Sequence, residues 1–487
     1  MKKLSPFLLV LLLLLFGHVN SFSQNDKGGF LFTTSSNQAL SAFQAGLRFN
    51  DLGEGKKARE YFQQAIAQDP KFVIAYIYLA FYSQSPQEFV TNLNKAKENL
   101  AGANDWEKLM YEFAETDLTN DMDKRLMVAQ KMVGQFPDNA RAYIQLGETY
   151  DARNDFAKAR ESYQKAIALD ATWPGGYIAL ANSFLFSEPK DFKQAEITAS
   201  KLVAIASTGS TYILLGDTYR AQNNLAKAEE MYSKAVELDA SSPAGFYKRG
   251  HCRSFTGQYD KARADYETAG KLDVTPVGAR NMIAFTFLYQ GQPDKALESL
   301  LTDAETITQS MDAAKATAAK SNLFYTAALI AAHTRNAQKL QQIVDMLKPI
   351  SEEIANAVGT EEAKLNGKAD MLFWEGIVKV LNNDLTGATQ TAEEMKMLLE
   401  PIKNPRKLEG YEFLLGCTSM KQKDFTTAIA HFEKTSPINV YDRYCLAKAY
   451  EAGGQKDKAM AIYKELANYN FNNIGYALIR NEVKGKM

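Results

Sequence analysis

One stretch of nine residues occurs twice in this chain, and no other feature limits its fold as strongly. Ala142-Tyr143-Ile144-Gln145-Leu146-Gly147-Glu148-Thr149-Tyr150 and Thr211-Tyr212-Ile213-Leu214-Leu215-Gly216-Asp217-Thr218-Tyr219 align without a gap, their glycines 69 residues apart. A weaker copy, Tyr177-Ile178-Ala179-Leu180-Ala181 followed by Phe184, falls between them. The repeat is therefore about 34 residues long. A unit this short cannot enclose a core alone, so successive copies must stack and bury one another's apolar faces. The length agrees, because 487 residues exceed the roughly 250–300 at which a single core stops growing.

Within the repeat, spacings mark two helices and a turn. An Ala stands twelve residues after the Gly in Gly46–Ala58, Gly147–Ala159, Gly216–Ala228, Gly250–Ala262, Gly376–Ala388 and Gly416–Ala428, and the same offset joins Ala284 to Ala296 and Ala447 to Ala459. In the Tyr177 copy it lengthens by two, Ala181 to Ala195, around Ser187-Glu188-Pro189. An aromatic commonly follows four residues on: Phe62, Tyr163, Tyr232, Tyr266, Phe432 and Tyr463. Small residues let antiparallel helices approach closely, so Gly147 is expected to face Ala159. Five residues before each Ala stands Gly53, Asn154, Asn223, Gly257, Gly291, Asn383 or Gly454, types that tolerate the left-handed conformation ending a helix. Asp155, Asn224, Asp384 and Asp424 are then suited to cap the second helix.

The Leu-Gly-x-x-Tyr of the first helix (Leu146, Gly147, Tyr150; Leu215, Gly216, Tyr219) and the Ala-x-x-x-Tyr-x-x-Ala of the second (Ala159, Tyr163, Ala166; Ala228, Tyr232, Ala235) resemble the tetratricopeptide repeat. Its closing proline is present as Pro70 and displaced to Pro174, Pro243 or Pro276 in later copies. The resemblance runs over roughly residues 38–480. It implies an all-α, right-handed α-solenoid of about 11–12 antiparallel helix pairs. Two stretches are degenerate. Residues 83–138 keep a loose helix-pair pattern, and residues 301–368 lose the Gly/Ala register, with breaks expected at Lys348-Pro349 and Val358-Gly359. The expected organisation is a disordered linker over 24–37, an N-terminal superhelix over 38–300, an irregular helical connector over 301–368, and a C-terminal array over 369–487. A final helix around Ile474–Arg480 is expected to cap the last pair.

Residues 1–23 read as a secretory signal peptide. Met1-Lys2-Lys3 is basic, Phe7–Phe16 is apolar, and Ser21-Phe22-Ser23 offers small residues for cleavage before Gln24. The run is shorter than the ~20 residues of a spanning helix, and no cysteine stands near the cleavage point for lipid attachment. Export to a periplasm or beyond, as a soluble chain, is the expectation. Three cysteines, Cys252, Cys417 and Cys445, are too few for a disulfide-built fold; Cys417 and Cys445 fall on the first helices of adjacent repeats, where a bond is conceivable in an exported chain. A formal net charge of −1 gives no global reason to bind nucleic acid.

Catalytic patterns are missing from the sequence. His251, His333 and His431 sit in no metal-ligand spacing, and Gly53-Glu54-Gly55-Lys56-Lys57 is a turn leading into a helix, with no preceding strand. No catalytic residue, cofactor or metal is expected. The family resemblance implies that the first helix (helix A) of each pair lines the concave side of the array. Its exposed positions are expected at Ile144, Glu148 and Asp151; Ile178 and Asn182; Ile213, Asp217 and Arg220; and Tyr247, His251 and Ser254. Isoleucine at one register in three consecutive repeats forms an apolar stripe for a peptide, or else packs against the neighbouring A helix as core. Family members that clamp a terminal carboxylate use Lys and Asn on this face; Ile144 and Glu148 stand here instead. The leading expectation is a non-catalytic scaffold binding a protein or peptide in the cell envelope. Self-association is the alternative, and a small-molecule or glycan binder using the 301–368 break is a third.

Overall fold

The computed structural model describes residues 32–487 apart from 84, 85, 120 and 405 and the side chains of 86 and 119; the signal segment and its cleavage point lie outside the described residues. Among the described residues are 25 α-helices and no β-strand. They run as twelve helix–turn–helix pairs and a last single helix, Ile474–Gly485. Ala140–Ala152 with Phe156–Leu169 and Pro243–Phe255 with Tyr259–Leu272 are regular examples.

The turn chemistry is realised copy by copy. Gly53, Asn154, Asn223, Gly257, Gly291, Asn383 and Gly454 all have positive φ, between 57° and 79°. The side chains of Asp155, Asn224, Asp384 and Asp424 accept the backbone N–H of Lys158, Lys227, Gly387 and Thr427. Arg335 (φ 58°) and Lys423 (φ 65°) hold the same turn position without being Gly or Asn, so their turns are strained by about 1 kcal/mol or more.

The seam between helices A and B differs from expectation. The glycine faces the aromatic rather than the Ala. A methyl group at Gly46 would lie 2.5 Å from the Phe62 ring, one at Gly250 2.6 Å from Tyr266 and one at Gly416 2.7 Å from Phe432; at Gly147 it would be closer still to Tyr163. Helical side chains lean toward the N-terminus, which brings a ring four residues after the Ala back over the glycine. Ala58, Ala159, Ala262 and Ala428 are wholly buried beside it. Gly376 has Ala392 rather than a ring at that offset, and Leu414 of the next pair takes the space.

The described residues form two compact units, divided between residues 222 and 223. The division does not fall at 301–368. That stretch is interior to the second unit, where Ala313–His333, Ala337–Val358 and Glu361–Leu381 are helices of 21, 22 and 21 residues. The register is lost there because the helices are about two turns longer than the 13–14 residues of the regular pairs, not because pairing stops. Pro349 is accommodated inside Ala337–Val358, and only Gly359 ends that helix. Residues 83–138 likewise hold ordinary helices, Pro86–Glu98, Asp105–Thr119 and Met122–Gln135. The end of the expected linker is ordered: Phe32 packs edge-on against Phe43 at 4.9 Å, and Thr33 donates its N–H to the fully buried Glu107 at 3.0 Å.

The last helix does more than cap. It packs on Val440–Ala452 and Lys456–Ala467, and it also crosses back to Val277–Tyr289. The Asn481 side-chain amide donates to the carbonyls of Leu288 (3.3 Å) and Tyr289 (3.1 Å), and the Tyr289 hydroxyl donates to Asn472 (2.6 Å). Arg480, 8 % exposed, donates to the Phe255 carbonyl at 2.9 Å and lies over the rings of Phe255 and Tyr289. The second unit is therefore closed by a contact between its first and last thirds.

Candidate binding site

In the first unit, most of the expected helix-A face is engaged internally. Ile144 is 9 % exposed and packs with Ala159, Tyr163, Ala166 and Leu180. Ile178 and Ile213 are half-buried. Ile178 reaches within 4.0 Å of a methyl built on Gly53, so the first pair's turn approaches the fifth pair's A helix. Beside it Arg141 donates two hydrogen bonds of 2.6 Å to the Asp51 carboxylate. Asp151 accepts from the Ser187 hydroxyl at 2.9 Å. Arg220, expected to be exposed, is buried and lies 3.4 Å from Asp217. Asn182 stays half-buried and Glu148 exposed. Glu148 is nevertheless surrounded by protein, and that desolvation raises its carboxyl to about 7, with Arg125 opposing the rise and Asp117 and Asp151 adding to it.

In the second unit, Ser254 is also a correction: it is wholly buried and hydrogen-bonded to the Tyr266 hydroxyl at 3.0 Å. Tyr247 donates to Asp273 at 3.1 Å, and the His251 ring packs 5.9 Å from Tyr266. Ile144, Arg220 and Ser254 thus offer little surface because their helix positions turn into the array.

The space for a ligand is elsewhere on helix A, in the later repeats. A cavity of about 710 Å³ opens between the A helices Ala313–His333, Glu361–Leu381, Glu409–Gln422 and Val440–Ala452 and the last helix. Its walls are aromatic and aliphatic: Phe373, Trp374, Ile377, Phe413, Tyr441 and Leu478. Their rings form a ladder, Phe373 to Phe413 at 6.0 Å and Phe413 to Tyr441 at 6.3 Å. His333 holds the far side of Tyr441, its Nδ1 3.0 Å from the hydroxyl, and burial lowers the imidazole pKa. Ile438, 80 % exposed, stands at the mouth. Arg406, Glu409, Ser436, Asn439, Asp442 and Asn473 line one end. Cys417 and Cys445 are free thiols in the wall. Burial pushes Cys417 up to about 12 and Cys445 well above its usual value, which leaves both protonated and weakly nucleophilic.

The volume falls in the range of ligand pockets, roughly 300–1,000 Å³, and the composition is that of such sites, apolar walls with a few polar groups. A signal for it was present in the sequence. Phe373 and Phe413 stand three residues before Gly376 and Gly416, the register that holds Ile144, Ile178 and Ile213 in the earlier copies. Among the described residues no group of three or more His, Cys, Asp or Glu is placed to hold a metal ion, and no helix is long and apolar enough to cross a membrane.

Family models of the tetratricopeptide repeat match residues 140–173, 209–242, 244–273 and 444–470. Superkiller complex protein 3 of Mus musculus is 24 % identical over 230 residues, covering 38 % of this chain and 15 % of that protein; the chain thus spans a small part of that relative's length. Among solved structures, YrrB, described as a TPR protein with an unusual peptide-binding site, is 22 % identical, with 38 % of this chain and 94 % of that one covered and a TM-score of 0.30. Cut9, from the APC/C hetero-tetramer Cut9-Hcn1, is 16 % identical over 98 % of this chain and 82 % of its own, with a TM-score of 0.40. Yeast Tom70 is 14 % identical, at 92 % and 89 % coverage and a TM-score of 0.36.

Proposed function

Taking as premise that this chain is a tetratricopeptide-repeat array, we propose that it is a non-catalytic scaffold whose helix-A cavity in the second unit receives an apolar segment of a partner protein. One observation carries the reading: an aromatic-walled cavity of about 710 Å³ with an exposed isoleucine, Ile438, at its mouth. Exposed apolar side chains beside a ready-made apolar cavity mark interaction surfaces. Array proteins bury a partner along such faces without chemistry. The basic, apolar and small-residue segments of the first 23 residues support a role outside the cytoplasm, in a periplasm or beyond.

Trp374 is the one tryptophan of residues 223–487, and it lines the cavity. Peptides selected from a displayed random library against the full chain should shift its emission and lose affinity roughly tenfold or more when Ile438→Glu and Phe413→Ser are introduced together. Ile438 is exposed, so Ile438→Glu alone serves as the variant that leaves the fold intact. Selected peptides that bind both variants at full strength would overturn the cavity as the site. A parent-sized fragment recovered with its native signal removed, from the envelope fraction of the expressing cell, tests export; retention of an uncleaved chain in the cytoplasm refutes it.

A further inference from the structure

Resting on the reading that the cavity takes an apolar segment, we propose that this segment carries a basic side chain beside its apolar anchor, seated against the Asp442 carboxylate. The argument begins with the charges at the polar end. Arg406 is already answered: its Nε and Nη2 donate to the two carboxylate oxygens of Glu409 at 2.7 and 2.9 Å, and Nη2 also donates to the Ser436 hydroxyl at 3.0 Å. Among the described residues, the Asp442 carboxylate accepts the Ser436 N–H, at 3.2 Å, and no side-chain donor. Taken together, Arg406, Glu409 and Asp442 leave one negative charge uncompensated at the end of an apolar cavity.

Among the described residues the neighbouring cations are engaged with other groups, save Arg335, whose charge acts on Tyr441, and Arg406, whose charge also acts on Asp442. Lys407 donates to the carbonyls of Glu400 and Ile402, both at 2.7 Å. Lys434 pairs with Glu412, Arg443 with Glu465, and Lys448 with Glu482. His333, which backs the wall residue Tyr441, is held toward its neutral form by burial. A carboxylate placed in an apolar cavity without a cation is costly unless a partner supplies one.

Helix geometry alone gives Asp442 a simpler duty. It occupies the first turn of Val440–Ala452 after the cap Asn439, where an acid is favoured by the helix dipole. That duty needs no cavity, whereas Asp442 also lines the space bordered by Trp374, Phe413 and Tyr441. Aromatic faces add attraction for a lysine or arginine that enters between them. The two duties separate experimentally, because a dipole role is blind to the charge of what binds.

The probe is a set of capped nonapeptides with a central Leu-Phe anchor and, one residue before it, Lys, norleucine or Glu. Binding is read from Trp374 emission on the full chain carrying Trp106→Phe and Trp173→Phe, so that Trp374 alone reports, with Asp442→Asn as the test variant and Asp442→Glu as the conservative one. The expected result is binding of the Lys peptide roughly tenfold tighter than the norleucine peptide and weakest binding of the Glu peptide. Asp442→Asn should abolish the Lys preference without weakening the norleucine peptide, and Asp442→Glu should restore part of it. Equal binding of the three peptides to the parent chain, or an equal loss of all three in Asp442→Asn, overturns the inference while leaving the cavity reading intact. No emission change with any of the three refutes the cavity reading itself.

Discussion

Gly250→Ala is expected to destabilise the second unit, although alanine is the better helix former. The gain from propensity is at most about 1 kcal/mol. Against it stands the Tyr266 ring. An alanine Cβ would lie 2.6 Å from Cε1 and 3.0 Å from both Cδ1 and Cζ, where ordinary contact begins at 3.4 Å. The ring has nowhere to retreat: Tyr266 is wholly buried, and its hydroxyl is held by Ser254 at 3.0 Å and by the Asn472 amide at 3.1 Å. Overpacking of this kind costs about 1–3 kcal/mol, and three close contacts on a fixed ring place it in the upper half. A net loss of about 1–2 kcal/mol follows, a factor of roughly 5–30 in the opening equilibrium. Amide exchange read by mass spectrometry over residues 243–272 should accelerate by that factor. The decisive control is the same substitution in a Tyr266→Leu background. With the ring gone the clash vanishes, and Gly250→Ala should turn neutral or stabilising. An identical effect in both backgrounds would refute the Gly–aromatic seam as the organising contact of the repeat.

Three further outcomes are expected. Arg480→Ala removes a charged hydrogen bond and two ring contacts, so denaturant unfolding of the second unit should shift by about 2–4 kcal/mol, with faster exchange in 277–289; unchanged exchange there would show that the last helix does not hold that segment. Pro349→Ala fills a helix interior at an exposed position and should stabilise by about 1–3 kcal/mol, seen as a higher denaturation midpoint; a lower one would contradict the continuous helix. Burial raises Asp442 from the ordinary 3.8 to about 6, with Glu409 adding to the rise and Arg406 opposing it. The folded state therefore holds the proton more tightly, and the associated stability is complete below the unfolded value and lost as pH rises through about 6. Asp442→Asn should then match the parent near pH 3.5 (about) and exceed it by up to ~3 kcal/mol above about pH 7; a difference independent of pH would refute the assignment.

The turns were the most legible part of the sequence. Asn154, Asn223, Asn383 and the glycines named with them all adopt positive φ, because backbone conformation there depends on the residue itself. Arg335 and Lys423 occupy the same turn with no local sign; the packed helices on either side impose it. The register of the helix-A face was legible, but its content was not. Ile144 and Phe413 share that register, yet one is sealed by Leu180 and Tyr163 while the other borders a cavity. Which of them meets solvent depends on how tightly neighbouring A helices approach, a property of several repeats at once. The last helix was read as a cap from its position. Its return to Val277–Tyr289 rests on Asn472, Arg480 and Asn481, polar residues that carry no periodic signature.

That return sets a timetable for synthesis. Asn481 comes 192 residues after Tyr289, an interval of about 10–40 s at ~5–20 residues per second. Throughout it, Phe255 and Tyr289 wait without the arginine and the helix that later cover them. An emerging chain in this state offers apolar surface to holding factors and cannot complete the second unit before its final turns are made. Completion of the second unit is thus tied to the helix that fastens it, and everything between Tyr289 and Asn481 must be made before that fastening can occur.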